Sequence, residues 1–98
     1  MNIEEKDIYD TIIATGKRIF HFHASENDRG TVGTGHIPWK RAAEALKQTG
    51  YDRYVVVETF VPGVKEIAKA AAIWRPLASS DDVIAIEGLK FLKERWPE

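Results

Sequence analysis

Two stretches of this sequence carry side chains able to do chemistry together. The first, His21-Phe22-His23, sets two imidazoles two residues apart, which on an extended backbone puts them on one face of a strand. Neutral imidazole is the commonest metal ligand in proteins, and a hydrogen-bonded core histidine is the other ordinary use of such a position. The second is Glu58, which follows Val55-Val56-Val57. A carboxylate after so apolar a run stays charged only if it is paired, hydrogen-bonded or bound to a cation. If His23 and Glu58 close neighbouring parallel strands at the same end, an imidazole and a carboxylate can reach one cation. Mixed nitrogen and oxygen ligation suits Mn²⁺, Co²⁺ or Mg²⁺, and a chain without cysteine cannot build a thiolate zinc site.

Between these two stretches, residues 25–37 form a polar segment punctuated by Gly30, Gly33 and Gly35, about twice the usual length of a strand-to-helix connection. Arg29 stands in it as a fixed positive charge that can hold substrate oxygens or a developing enolate, or can pair with its acidic neighbours Glu26 and Asp28. A glycine-rich turn can also present backbone N–H groups to phosphate. Here the order Gly30-x-x-Gly33-x-Gly35 runs opposite to the dinucleotide fingerprint, and no Gly-Lys-Ser or Gly-Lys-Thr follows. Glu58 does lie about twenty residues beyond Gly35, where that fingerprint has its ribose-binding acid. A dinucleotide- or phosphate-binding βαβ unit therefore stands as an alternative.

The elements that must position these groups are legible from period and punctuation. Asn2 with Glu5 reads as a capping signal for a helix over about 2–15, and Lys17 to Ala24 as a strand with Ile19, His21 and His23 on one face. Pro38 suits the first turn of a helix from Trp39 to Thr49 that Gly50 stops. Tyr54 to Phe60 reads as a strand buried on both faces. Lys65 to Trp74 is helical until Pro76, and Ser79 or Ser80 caps a last helix from about Asp81 to Arg95. The Ala68–Trp74 stripe and Trp96 read as packing, and Trp39 as either core or a lid. Strands alternating with helices imply an α/β chain with two parallel strands joined by a right-handed crossover. Two strands leave open edges, so the pattern suits successive units of a larger parallel sheet or barrel.

Composition narrows the function classes. The 98 residues, 44% hydrophobic and 30% charged, fit one soluble domain. A formal charge of -1 supplies no basic field for nucleic acid and no polybasic membrane patch. The longest apolar run, Ala70 to Trp74, falls far short of a membrane span, and the acidic start is not signal-like. Absence of cysteine makes the cytoplasm the expected location.

Taken together, His23-Ala-Ser-Glu26-Asn-Asp-Arg29-Gly30-x-x-Gly33-x-Gly35, then Trp39, then Glu58 at the end of a valine-rich strand, resemble the C-terminal part of the D-tagatose and D-psicose (allulose) 3-epimerases. These belong to the xylose isomerase-like TIM-barrel sugar isomerase superfamily. The resemblance implies that His23 and Glu58 are metal ligands, that Glu58 is also a catalytic acid/base, and that Arg29 contacts the sugar. It implies proton abstraction next to a ketose carbonyl through a metal-bound enediolate, with a divalent ion as cofactor and a ketose as substrate. Other metal-binding and sugar-contacting residues of that family belong to earlier strands, and a whole barrel needs about 250 residues. The expectation is that residues 1–98 form a single partial domain, the last two βα units of a (β/α)8 barrel, inactive alone. Its partners are then expected to be further copies of itself or a separate N-terminal barrel fragment, and a non-catalytic, oligomerising module is the alternative from a different class.

Overall fold

The computed structural model describes residues 4–60 and 65–96. In chain order it contains α1 (Ile8–Thr15), a 3₁₀ turn (Gly16–Arg18), β1 (Phe22–Ala24), α2 (Trp39–Gln48), β2 (Val55–Val57), α3 (Lys65–Ala70) and α4 (Asp81–Arg95). β1 and β2 are neighbours in a two-stranded parallel sheet, so the expected α/β order of two parallel strands with flanking helices holds. No helix among the described residues is long and apolar enough to cross a membrane.

The chain divides into two compact units, Met1–Phe22 with Pro38–Val55 and His23–Ile37 with Val56–Glu98. In the first, α1 packs on α2 and buries Ile12, Ala42, Ala45 and Leu46. The helix α1 starts six residues later than the sequence suggests. Asp7 supplies the cap by accepting from the Asp10 amide at 3.1 Å, and Glu4 and Glu5 are exposed ahead of it. Asn2, the expected cap, lies outside the described residues. Arg41 reaches back from α2 to Asp7 at 2.7 Å and lies over the Tyr9 ring. Trp39 is buried, which settles it as core rather than lid.

In the second unit the helix α4 follows its expected bounds. The Ser80 hydroxyl accepts from the Val83 amide, Asp81 and Asp82 occupy the first turn, and Ile84, Gly88 and Leu92 form the buried stripe. Gly88 is there for proximity, since a Cβ would stand 3.3 Å from a Val57 methyl. The helix α3 is shorter than expected. Ala72 adopts a left-handed φ of 57°, and the Ile73 amide bonds back to the Ala68 carbonyl at 2.8 Å, a Schellman-type stop made without glycine. Trp74 therefore falls beyond the helix and is exposed, not packed as its place in the apolar stripe suggests.

Both strands are also shorter than the sequence suggests. The turn at Gly16–Arg18 takes up the start of the expected first strand, so Ile19 and His21 precede β1 and do not share a strand face with His23. In β2, Val56 is partly exposed rather than buried, because a two-stranded sheet leaves part of its surface uncovered.

Candidate functional site

His23 sits in the middle of β1, and Glu58 directly follows β2. The pairing continues past the last assigned strand residue, for the Glu58 amide donates to the Ala24 carbonyl at 2.9 Å. That bond fixes the Glu58 backbone beside β1 and brings its carboxylate Oε1 to 3.3 Å from His23 Nδ1. Both side chains keep solvent contact, at 49% and 33% exposure, so a small ion or a polar ligand can reach the pair. His23 is the imidazole of His21-x-His23 that lies on β1, and it meets Glu58.

The donor set fits a hard divalent ion. At metal–ligand distances of about 2.1 Å, adjacent ligands of an octahedral ion lie about 3 Å apart, close to the separation seen here. Nitrogen and carboxylate oxygen are also the right donors for Mn²⁺ or Co²⁺. The fit is partial, because no group of three or more His, Cys, Asp or Glu side chains among the described residues is arranged to hold a metal. His23 and Glu58 are a pair of ligands, not a cage.

Arg29 lies in the segment that leaves β1. Its backbone has a φ of 70°, uncommon for a residue with a Cβ, and its amide closes a turn onto the Glu26 carbonyl at 3.0 Å. The side chain is held at two points. Nε donates to the Ala71 carbonyl at 3.3 Å, at the left-handed end of α3, and the guanidinium lies 4.9 Å from the centre of the Phe60 ring. Asp28, the acidic neighbour that competed for Arg29, instead accepts from Arg75 at 3.3 Å and from the Gly30 amide at 2.9 Å. The guanidinium is thus committed to a carbonyl and a ring, and its charge is not cancelled by Asp28.

Glu26, one of the two acidic neighbours open to pairing with Arg29, is instead fully buried. Its Oε1 accepts from the amides of Asn27 at 3.1 Å and Ile37 at 3.0 Å, and Oε2 from Gly33 at 2.8 Å. Three backbone donors converging on one carboxylate explain how a charge is kept in the interior. Close packing on this segment explains two of the glycines. A Cβ at Gly35 would stand 2.5 Å from Glu26 Cγ and would also meet Asn27 Oδ1, and one at Gly33 would stand 2.5 Å from the Phe91 ring. The phosphate-cradle alternative needs outward-facing amides, but those of Asn27, Gly33 and Ile37 already face Glu26. The signal that could have located Glu26 is an acidic residue followed by closely spaced glycines, a segment too small in side chains to fill its own interior.

Comparison with known proteins places these residues in context. A family described as "Xylose isomerase-like TIM barrel" matches residues 1–95. A probable ketose 3-epimerase of Synechocystis sp. is 38% identical over 96 residues, which is 98% of this chain and 33% of that protein. An L-ribulose 3-epimerase of Methylomonas sp. is 32% identical over 98 residues, 98% of this chain and 34% of its own length. Among solved structures, D-allulose 3-epimerase from Methylomonas sp. in complex with D-allulose is similar with a TM-score of 0.86 and 32% identity, covering 98% of this chain and 34% of that one. A structure of L-ribulose 3-epimerase reaches a TM-score of 0.88 at 31% identity, over 97% of this chain and 33% of that one. The chain spans about a third of the length of the curated relatives it matches.

Proposed function

Because this chain belongs to the xylose isomerase-like TIM barrel family, we propose that its strand ends supply part of a ketose 3-epimerase site, with His23 and Glu58 as metal ligands, Glu58 as catalytic acid/base and Arg29 as a sugar contact. The observation that carries this reading is the 3.3 Å approach of His23 Nδ1 to Glu58 Oε1 beside neighbouring parallel strands, the end at which barrel enzymes keep their chemistry. The identity to proteins named ketose and L-ribulose 3-epimerases supports the substrate class.

In this reading Glu58 accepts the proton from the carbon beside the ketose carbonyl and can return one to it. His23, whose Nδ1 lies 3.3 Å from that carboxylate, would share the ion with it and so fix its place. Arg29 donates to sugar oxygens and stabilises the negative charge that builds on the enediolate, at little reorganisation cost because its side chain is already held by Ala71 and Phe60. A divalent ion, Mn²⁺, Co²⁺ or Mg²⁺, held by His23 and Glu58 would supply Lewis-acid polarisation of the carbonyl.

Two ligands and one carboxylate are fewer groups than exchange of a proton on both faces of a carbon requires, so the 98-residue chain by itself is expected to be inactive. The test is Mn²⁺ titration followed by electron paramagnetic resonance, together with chromatography of D-fructose, D-tagatose and D-psicose after incubation. Weak Mn²⁺ binding is expected, with no epimerisation. His23→Ala and Glu58→Gln should each weaken binding by about tenfold or more, since loss of an outer-sphere partner alone costs that much at metal sites. Mn²⁺ affinity unchanged in both variants would overturn the ligand assignment.

A second reading has the chain working through assembly, as a homo-oligomer or with a separate N-terminal barrel fragment. The apolar side chains of Val83, Ile86 and Leu89, at i, i+3 and i+6 of α4, are exposed, which favours it. Sedimentation at micromolar concentration should give a species larger than the monomer, and a cooperatively folding monomer would count against it. A cytoplasmic setting belongs to either reading and rests on the cysteine-free composition.

A further inference from the structure

We propose that Glu26 is a positioning residue for Arg29, its buried carboxylate acting as the template on which the segment 25–37 is wound and through which the Arg29 side chain is aimed. The inference rests on the reading of Arg29 as a sugar contact only for its functional meaning, and its test needs no turnover. Glu26 is the buried charged residue among the described residues, and its bonds reach from the adjacent amide of Asn27 to that of Ile37, eleven residues on. The amides of Asn27, Gly33 and Ile37 are N–H donors that use both carboxylate oxygens, an arrangement that an ionised carboxylate accepts and that an amide, with one oxygen and an N–H₂, does not.

Arg29 depends on that winding at its backbone. Its left-handed φ of 70° is unfavourable for a side chain larger than glycine, and it is held by the 3.0 Å bond from the Arg29 amide to the Glu26 carbonyl. Glu26 thus fixes Arg29 with its main chain while its side chain fixes the return of the segment at Gly33 and Ile37. The guanidinium then meets the Ala71 carbonyl and the Phe60 ring. Neighbouring contacts brace the same arrangement. Asn27 Oδ1 accepts from the His36 amide at 2.9 Å, and Gly35 passes so close to Glu26 that no Cβ fits. With the carboxylate changed, the left-handed turn at Arg29 has no fixed frame, and the guanidinium loses its preset direction.

Nuclear magnetic resonance of the 98-residue chain tests this through the Arg29 Nε–Hε signal, assigned with Arg29→Lys. In Glu26→Gln, an amide N–H₂ is set against a backbone donor. The Gly33 and Ile37 amides should then exchange at least about tenfold faster. The Arg29 Hε signal should lose its protection, and the Arg29 Cδ protons the shift induced by the Phe60 ring. Amides of α4, in the same compact unit, should keep their protection, which shows that the unit carrying the substitution is folded. Loss of protection at Gly33 and Ile37 with the Arg29 signals unchanged would overturn the proposal, as would no change at any of these sites. If Glu26→Gln does not fold, native-state exchange of the unmodified chain decides. Arg29 Hε should open with the same denaturant dependence as Gly33 and Ile37, and independent, faster exchange of Arg29 Hε refutes the coupling. Failure of the epimerase reading would appear in the Mn²⁺ titration and leave these signals untouched.

Discussion

Gly35 is exposed at the surface, where a glycine-to-alanine change ordinarily costs little, and the structure predicts the opposite. The Cβ of Gly35→Ala would point inward, 2.5 Å from Glu26 Cγ and 2.8 Å from Glu26 Cδ, and would also meet Asn27 Oδ1. Neither neighbour can move without loss. Glu26 is fully buried and holds three amides, and hydrogen bonds to a charged group contribute about 1.5–3 kcal/mol each. Displacing the carboxylate enough to weaken one of them, with the strain of overpacking, gives an expected loss of about 2–4 kcal/mol. For a chain of this length, total stability is on the order of 5–15 kcal/mol, so the loss is a large share. Gly30→Ala is the control, because its Cβ would stand 2.8 Å from Asp28 Oδ1 in a side chain that is 37% exposed and can turn into solvent on giving up its bonds to Arg75 and the Gly30 amide. Its expected loss is about 1 kcal/mol, since the ion pair given up is an exposed one. Urea unfolding followed by circular dichroism, with hydrogen exchange at Gly33 and Ile37, measures both. A Gly35→Ala variant within about 0.5 kcal/mol of the parent, or one less damaging than Gly30→Ala, would refute the reasoning.

Three other perturbations have expected outcomes. Ala72→Gly should raise the urea midpoint by an amount equivalent to about 0.5–1 kcal/mol, because the left-handed φ at the end of α3 carries a Cβ penalty that glycine removes; a lower midpoint would mean that the α3 terminus is not strained. Gly88→Ala should be nearly neutral, the helix-propensity gain of about 1 kcal/mol offsetting a 3.3 Å contact with Val57, whereas Gly88→Leu should lower the midpoint sharply by driving α4 off the strand. The Asp7 carboxyl is held below its usual 3.8, chiefly by the Asp10 amide and further by the Arg41 guanidinium. Its contribution is therefore complete above the unfolded value and is lost as pH falls through the lower folded value. Acid titration of α1–α2 unfolding should show this loss below about pH 4, and Asp7→Asn should flatten that part of the profile.

What could be read from the sequence divides by the range of the interactions involved. The helix α4 was legible to its ends because its determinants are local: the Ser80 cap, the acidic first turn and the buried repeat at Ile84, Gly88 and Leu92. The meeting of His23 and Glu58 was legible as an expectation because alternating strands and helices force parallel strands, and parallel strands bring matching ends together. The start of β1 was not. Lys17 to His21 has strand-like composition, but β propensity expresses itself only against a partner strand, and the described pairing begins at Phe22. The end of α3 was equally hidden, since its left-handed residue is Ala72 and no glycine marks it.

The spacing of the motif acquires its physical sense from Glu26, whose carboxylate gathers backbone amides and not Arg29. His23, Glu26 and Arg29 recur every third residue, and with all three taken as outward-facing chemistry the glycines that follow suggest only a ligand cradle. With Glu26 turned inward the same spacing separates labour: His23 faces Glu58, Glu26 gathers the amides of 27, 33 and 37, and Arg29 is left to reach Phe60 and Ala71. The glycines then serve the carboxylate. Gly35 yields the space that Glu26 occupies, and Gly33, at a φ of 94°, turns its amide toward Oε2 while Phe91 covers its other side. Charge buried at Glu26 is thereby tied to charge displayed at Arg29, and a substitution at either glycine should be felt at the guanidinium without touching it.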